Sequence, residues 1–193
     1  MWVRGATLDA MRSRTALSVG AATALAAMAA LAAAPAQAES YGIDDPADAS
    51  GSLSDVTSLT ARHGSERIAV TVRFEELVRS SAAGISVFLD TDRSERGADY
   101  VLSSGLGDGT DYVLSEADGW RGTRARVDCS YKARPKWRRD VFRAVIDRDC
   151  LGDPDEVRVS VKVVDPTDGE RRVVDWVPRQ RRWSTSISSG LGV

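Results

Sequence analysis

The sequence predicts an all-β fold, an antiparallel β-sandwich of jelly-roll type with about nine strands, preceded by a signal peptide. Two observations predict the sandwich. Apolar and polar residues alternate with a period of two over 67–74 and 156–164, which indicates strands with one buried and one solvated face. Clusters of Gly, Asp and Pro separate many such short segments. Antiparallel sheets have this one-sided pattern, and many short strands favour two packed sheets.

The N-terminal segment has the three parts of a secretory signal peptide. Arg12 and Arg14 precede an apolar run over 16–34, and a small-x-small motif, A-Q-A, ends at Ala38. A basic region, an apolar region and such a site predict cleavage. We therefore predict a signal peptide over 1–38, a secreted, extracellular protein, and no membrane association after cleavage.

The rest of the chain divides into a short entry segment and one domain. Residues 39–52 are small, polar and acidic, which predicts a flexible entry segment. Residues 53–193 are predicted to form the sandwich, and 75–83 is the one helix candidate, of about one turn. Strands are predicted over 53–61, 67–74, 85–90, 100–103, 112–115, 123–130, 137–147 and 156–164, with one or two more over 173–177 and 183–188.

The pentamer D-Y-V-L-S occurs at 99–103 and again twelve residues later. Two copies are too few for a repeat array, because one unit cannot bury its own face. The two copies are predicted to be antiparallel strands of one hairpin, with Leu102 opposite Tyr112 and Tyr100 opposite Leu114. Aromatic–aliphatic cross-strand pairs of this kind are favourable.

Acidic residues surround the start of this hairpin. Asp90 and Asp92 resemble the first ligands of a calcium loop, although the glycine and final glutamate of that loop are missing. Asp99 follows seven residues later. Calcium takes six to eight oxygen ligands, and extracellular modules use it for stability. The sequence thus leaves two alternatives open at Asp90, Asp92 and Asp99, a structural calcium ion or an ordinary acidic surface turn.

Two cysteines, Cys129 and Cys150, are present. In an exported protein with only two cysteines, a disulfide between them is predicted. A metal site would want more Cys or His, and His63 is the only histidine. His63 lies in a polar turn sequence, which predicts a solvent-exposed side chain.

Charge is unevenly distributed. Residues 39–193 carry 23 basic and 27 acidic side chains, yet 121–148 contains ten Arg or Lys against three Asp. Such asymmetry marks either a polyanion-binding face or, more commonly, a solvated surface. Nucleic acid is not an expected partner.

Enzyme motifs are missing from the sequence. It has no G-x-S-x-G elbow, H-E-x-x-H, P-loop or dinucleotide fingerprint, so we predict a protein that is not an enzyme. Sugars stack on flat aromatic rings, and Trp120 lies in a turn sequence beside Arg121. An exposed Trp120 with Arg121 and Arg124 is therefore the candidate ligand-binding surface. The alternative is that Trp120 folds back to cover the open end of the sandwich.

Two stretches carry a resemblance to a known group of domains. "FLDTDRSERGADYVL" resembles the strand, acidic turn and strand of family 9 carbohydrate-binding modules and DOMON-type domains, and "VFRAVIDRDCLGDPDEVRVSVKVVD" resembles their late hairpin. The composition is similar to that of secreted proteins from high-GC Gram-positive bacteria. The resemblance implies an antiparallel β-sandwich, with a structural calcium ion in some members.

The predicted function is that of a secreted, non-enzymatic binding or interaction module. Its predicted partner is a glycan or an extracellular protein. A carbohydrate-binding module is the first alternative and an extracellular hydrolase is the second, since two carboxylates at a set distance suffice for a glycosidase.

Overall fold

The computed structural model describes residues 39–49, 51–166 and 172–190, and these form two antiparallel sheets. The predicted signal peptide over 1–38 lies outside the described residues. The smaller sheet has the spatial order β1 (Glu39–Asp44), β2 (Val56–His63), β3 (Arg67–Phe74), β9 (Val141–Asp147) and β8 (Tyr131–Lys136). The larger has the order β11 (Val173–Val177), β10 (Glu156–Asp165), β4 (Gly84–Asp90), β5 (Tyr100–Gly105), β6 (Tyr112–Asp118) and β7 (Arg121–Arg126), with β12 (Ile187–Ser188) paired to β10.

The predicted all-β sandwich is confirmed, with twelve strands in the described residues rather than about nine. One of the additional strands is β1, which occupies part of the segment predicted to be a flexible entry and pairs with β2 over its whole length. Another is β8, an edge strand that contains Pro135. Proline is tolerated at a sheet edge because only one side of the strand must supply hydrogen bonds.

The core lies between the two sheets, and period-two alternation places it there. In β3, Ile68, Val70 and Val72 are fully buried, whereas Arg67 and Arg73 point outward. The larger sheet contributes β10 in the same way, through the inward Val157, Val159, Val161 and Val163. Each sheet therefore keeps a second, outer face, and those two outer faces differ in chemistry.

The repeated pentamer forms the predicted hairpin, β5 and β6, but with a different register. Leu102 lies opposite Leu114, and Tyr112 lies opposite Ser104, a shift of two residues from the predicted pairs. Leu106 is fully buried, so β5 continues toward it and the turn moves further along the chain. A shift of two leaves each side chain on its predicted face, because strand faces alternate with period two.

The helix candidate at 75–83 is not helical in the structure. Its backbone forms hydrogen bonds with residues distant in the sequence instead. The Glu75 amide donates to the Asp55 carbonyl, and the Leu77 amide donates to Oδ1 of Asp140 at 2.9 Å. Leu77 is buried in the core. A nine-residue segment gains little from helix formation alone, so these contacts determine its conformation.

The predicted disulfide joins Cys129 and Cys150, whose Cα atoms are 5.6 Å apart. Cys129 precedes the edge strand β8, and Cys150 lies in a single turn of 3₁₀ helix, Arg148–Leu151, directly after β9. The bond therefore closes the β8–β9 hairpin at its open end.

The expectation of an exposed His63 is wrong. The inward alternation of β2 places the ring in the core with no exposed surface, and Nδ1 lies 2.9 Å from the Ile187 carbonyl oxygen. Burial lowers the pKa of His63, and the carbonyl contact opposes this in part. The ring is thus a neutral core group that fixes β12 against β2.

Candidate functional site

Four aromatic side chains form a cluster on the outer face of the larger sheet. Phe88 of β4 is its most buried member, at 3% exposed. Trp176 of β11 stacks on Phe88 with centroids 5.6 Å apart, and Trp120 meets Phe88 edge-on at 5.2 Å. Trp183 stacks on Trp120 at 4.5 Å. These four residues, here called the aromatic cluster, make a small second core outside the sandwich.

Trp120 reaches the cluster because of the turn between β6 and β7. Gly119 has φ of +63°, a backbone conformation that favours glycine, and the loop at Gly97 packs directly on it. A Cβ on Gly97 would lie 2.3 Å from the Gly119 Cα, so this contact needs glycine. The amide of Ala98 donates to the Gly119 carbonyl at 2.7 Å. The turn therefore folds the indole back over the sheet.

The three residues predicted to bind ligand differ in burial. Trp120 is half-buried against three aromatic rings rather than exposed in its turn. Arg121 and Arg124 lie on β7, where every residue is exposed. Trp183 stacks on one face of the Trp120 indole, so that face is not free for a sugar ring.

Cationic side chains border the aromatic cluster. The Arg158 guanidinium lies 5.6 Å from the Trp183 ring centroid, and the Lys162 ammonium lies 5.5 Å from that of Trp176. Arg158 also pairs with Asp90, whose carboxylate is fully buried. Cations over indole faces are attracted by the ring quadrupole. These contacts stabilise the outer face of the larger sheet.

The three predicted calcium ligands have other partners in the structure. Asp90 is bound to Arg158. Asp99 Oδ2 accepts hydrogen bonds from the Thr91 amide, the Thr91 hydroxyl and the Asp92 amide, at 2.6 to 2.9 Å. Asp92 Oδ1 accepts one from the Ser94 amide. Asp99 thus closes the turn after β4, and among the described residues these carboxylates do not converge as one ligand set.

Calcium binding remains a prediction that a melting experiment checks. An ion held by Asp90, Asp92 and Asp99 would raise the melting temperature in millimolar calcium, because a ligand that binds only the native state stabilises it. Asp92→Asn should abolish that rise, since it removes a ligand charge without disturbing the Asp99 hydrogen bonds. Unchanged melting with and without calcium would remove this prediction.

Acidic side chains come together at another place, where the segment after β1 meets β11. Ligand atoms of Asp45, Asp48 and Asp175 lie within 4.8 Å of one another. Burial, and then the charges of Asp175, Asp48 and Asp55, raise the pKa of Asp45 to about 7. Burial also raises the pKa of Asp175, although its Oδ2 accepts a bond from the Val56 amide at 2.9 Å. This acidic cluster lines one side of a groove of about 650 Å³ that also contacts Trp176.

Replacing Asp45 with asparagine is expected to stabilise the protein at neutral and alkaline pH. A carboxyl whose pKa rises from 3.8 to about 7 on folding contributes stability below pH 3.8 that is lost as the pH rises through 7. Asparagine carries no charge, so the variant should have a higher free energy of unfolding than wild type at alkaline pH. The expected difference is on the order of 1 kcal/mol after allowing for solvent screening. Urea unfolding at acidic and alkaline pH measures it, with the exposed Asp44→Asn as control. A variant less stable than wild type at alkaline pH would contradict this electrostatic account.

The outer face of the smaller sheet is basic. The outward positions of β3, β8 and β9 carry six Arg or Lys side chains and one carboxylate, Asp147. Asp147 pairs with Arg67 at 3.0 Å. In the described part of the chain, that is the one ion pair on this face. The other five cations are Arg73, Lys132, Arg134, Lys136 and Arg143.

These five cations, together with Arg139, line two adjoining depressions of about 430 and 240 Å³. The depressions share Lys136 and Arg143 and follow β9. On that strand Val141 lies between Lys136 and Arg73, and Val145 lies between Lys132 and Ala69. We call this feature the basic trough. Its wall on β8 is cationic, its β3 side carries Arg73, Thr71 and Ala69, and its floor on β9 is partly apolar.

The register brings like charges directly opposite each other in the basic trough. Arg134 of β8 is paired with Arg143 of β9, and both side chains are exposed. Like charges directly opposite in a sheet are destabilising. The sequence indicates this surface only through the excess of basic residues over 121–148. Because the sequence does not predict β8, it does not show which of these residues share the outer face of the smaller sheet.

Comparison with known proteins gives no family for this chain. No helix among the described residues is long and apolar enough to cross a membrane. No protein-family model matches the sequence, and no curated protein matches it.

Proposed function

We propose that this protein is a secreted, non-enzymatic module that binds an anionic partner through the basic trough. The observation that carries the proposal is that the strand register places Arg134 directly opposite Arg143, with Lys132 and Lys136 on either side. Among the outward residues of β3, β8 and β9, Asp147 is the one negative charge. The mutual repulsion of these groups costs stability in the free protein. A bound anion would relieve that repulsion and gain charge-assisted hydrogen bonds.

Secretion is supported by two features. Residues 1–38 have the composition of a signal peptide, and the Cys129–Cys150 disulfide is of the kind that persists in oxidising compartments. The proposal that the module is not an enzyme is supported, for chemistry that needs a histidine base, by the position of His63. It is the only histidine of the chain and is enclosed in the core, where it cannot reach a substrate.

Salt elution from heparin–agarose tests the proposal. The net charge over 39–193 is −4, so retention of the exported protein would reflect a local basic surface rather than overall charge. We expect retention, and earlier elution of the double variant Arg134→Gln, Arg143→Gln. The matched control is Arg121→Gln, Arg124→Gln, which removes two exposed arginines from the other sheet. Equal elution of the two double variants would overturn the proposed function.

A carbohydrate-binding module is the second candidate, favoured by the groove beside Trp176. There a partly exposed indole, the acidic cluster, Arg179 and Gln180 line one space of about 650 Å³. An aromatic surface with hydrogen-bonding groups at its edge is suited to a sugar ring. Glycan-array binding, with and without calcium, tests this. A neutral glycan whose binding is lost in Gln180→Ala and kept in Arg143→Gln would favour the second candidate.

A further inference from the structure

The basic trough runs along β9, and its cations are spaced along that strand. The antiparallel register aligns outward residues of β8, β9 and β3 in rows that cross the strands. Successive outward residues of one strand are about 7 Å apart. The three rows are Lys136, Val141 and Arg73; Arg134, Arg143 and Thr71; and Lys132, Val145 and Ala69.

Each row contains at least one cation from the β8 wall. Lys132, Arg134 and Lys136 alternate with the inward residues of β8, so they form a line of positive charges that runs alongside β9. A single small anion would neutralise one row and leave the other two unpaired. A chain that carries anionic groups at comparable intervals would meet all three rows at once.

The shape of the site distinguishes between anionic partners. A planar membrane surface would touch the tips of the long cationic side chains and leave Val141 and Val145 uncovered. Single-stranded nucleic acid is usually bound on aromatic side chains that stack the bases. The side chains lining both depressions are aliphatic or charged, together with Thr71. Val145 is partly exposed between these cations, and an apolar patch in that position is suited to the C–H face of a sugar ring between anionic substituents.

We propose that the ligand of the basic trough is a linear anionic glycopolymer that lies along β9, with sulfate, phosphate or carboxylate groups meeting the successive rows. This inference rests on the proposed function and adds the class and orientation of the ligand. Arg134 and Arg143 would each offer a planar pair of donors to one anionic group. Lys132 and Lys136 would bind the anionic groups on either side of the group that Arg134 and Arg143 bind.

A length series of heparin oligosaccharides tests the inference by calorimetry on the exported protein. Affinity should rise at least about tenfold from the disaccharide to the octasaccharide, because each further row adds a charge contact. The affinity should change little once the oligosaccharide is longer than β9, which has seven residues and is therefore about 23 Å long. For three contacts, raising salt from about 50 to 200 mM should weaken octasaccharide binding on the order of 20-fold. Neutral maltooctaose and inorganic sulfate are the low-affinity controls.

Variants at the two ends of the trough give a second measurement. Lys132→Gln and Lys136→Gln lie in the outer rows, so each should weaken octasaccharide binding several-fold and affect the disaccharide less. Each should also lower the salt slope by about one. Arg124→Gln should change neither quantity.

The outcomes separate the inference from the proposed function. If sulfate or the disaccharide binds as tightly as the octasaccharide, and binding still depends on Arg143, then the linear ligand is wrong and the proposed function stands. If a single-stranded oligonucleotide or an anionic lipid vesicle binds more tightly than the octasaccharide, the glycopolymer assignment is overturned. If no anionic probe binds, or if Arg134→Gln and Arg143→Gln have no effect, both proposals fail.

Discussion

Trp120→Ala is expected to lower the free energy of unfolding by about 3 kcal/mol, the lower end of the range for large aromatic truncations in cores. Three aromatic rings contact the indole: Trp183 at 4.5 Å, Phe88 at 5.2 Å and Trp176 at 5.5 Å between centroids. Removing it exposes Phe88, which is 3% exposed in the intact protein. Since Trp120 is partly exposed itself, the upper part of the range is not expected.

Urea unfolding of the variant and of a matched control measures this effect. Leu53 is a large apolar residue that is 51% exposed, so Leu53→Ala should change stability by about 0.5 kcal/mol or less. Heparin retention of Trp120→Ala should equal that of wild type below the unfolding transition, because the aromatic cluster and the basic trough lie on different sheets. Unchanged stability together with lost ligand binding would show instead that Trp120 is a contact residue.

Loss of the Cys129–Cys150 disulfide is expected to lower the free energy of unfolding by about 3 kcal/mol. The two residues are 21 positions apart, and the chain-entropy model gives that value for a loop of this size. The bond also closes the hairpin of β8, an edge strand that pairs with β9 alone. We therefore expect the double variant Cys129→Ala, Cys150→Ala to bind heparin more weakly, because β8 carries one wall of the basic trough.

Chemical unfolding with and without dithiothreitol checks this prediction. Reduced wild type and the double alanine variant should unfold at the same urea concentration, and dithiothreitol should not affect the variant. The oxidised, folded protein should contain no alkylatable thiol. Equal stability of the oxidised protein and the double variant would show that the bond adds nothing to the fold.

The fold was predictable where one face of a strand is uniformly apolar. In β3 and β10 every second residue is apolar, and both strands lie where the alternation placed them. β8 is not evident from the sequence because Pro135 argues against a strand and its inward side has no large aliphatic residue, although Lys132, Arg134 and Lys136 do alternate with the inward positions. The register of the β5–β6 hairpin depended on the burial of Leu106, a tertiary contact that local sequence does not reveal.

The candidate sites were less predictable, because they depend on which strands are neighbours. The excess of basic residues over 121–148 was visible in the sequence. However, the run is divided between two sheets: Arg121, Arg124 and Arg126 lie on β7, and the rest of the strand-borne cations lie on β8 and β9. Arg73 joins them from β3, far away in the chain. The polar turn sequence does not decide whether Trp120 is exposed or packed, because its partners Trp176 and Trp183 come from the C-terminal part of the chain.

Backbone amide chemical shifts of the ¹⁵N-labelled protein, recorded during titration with heparin octasaccharide, test the central claim most directly. If the basic trough is the binding site, the changes will concentrate on β8, β9 and the part of β3 that contains Thr71 and Arg73. The indole N–H signals of Trp120, Trp176 and Trp183 will stay where they are, because the aromatic cluster lies on the other sheet. Shifts confined to those indoles and to β7, with β8 and β9 unchanged, would contradict the account.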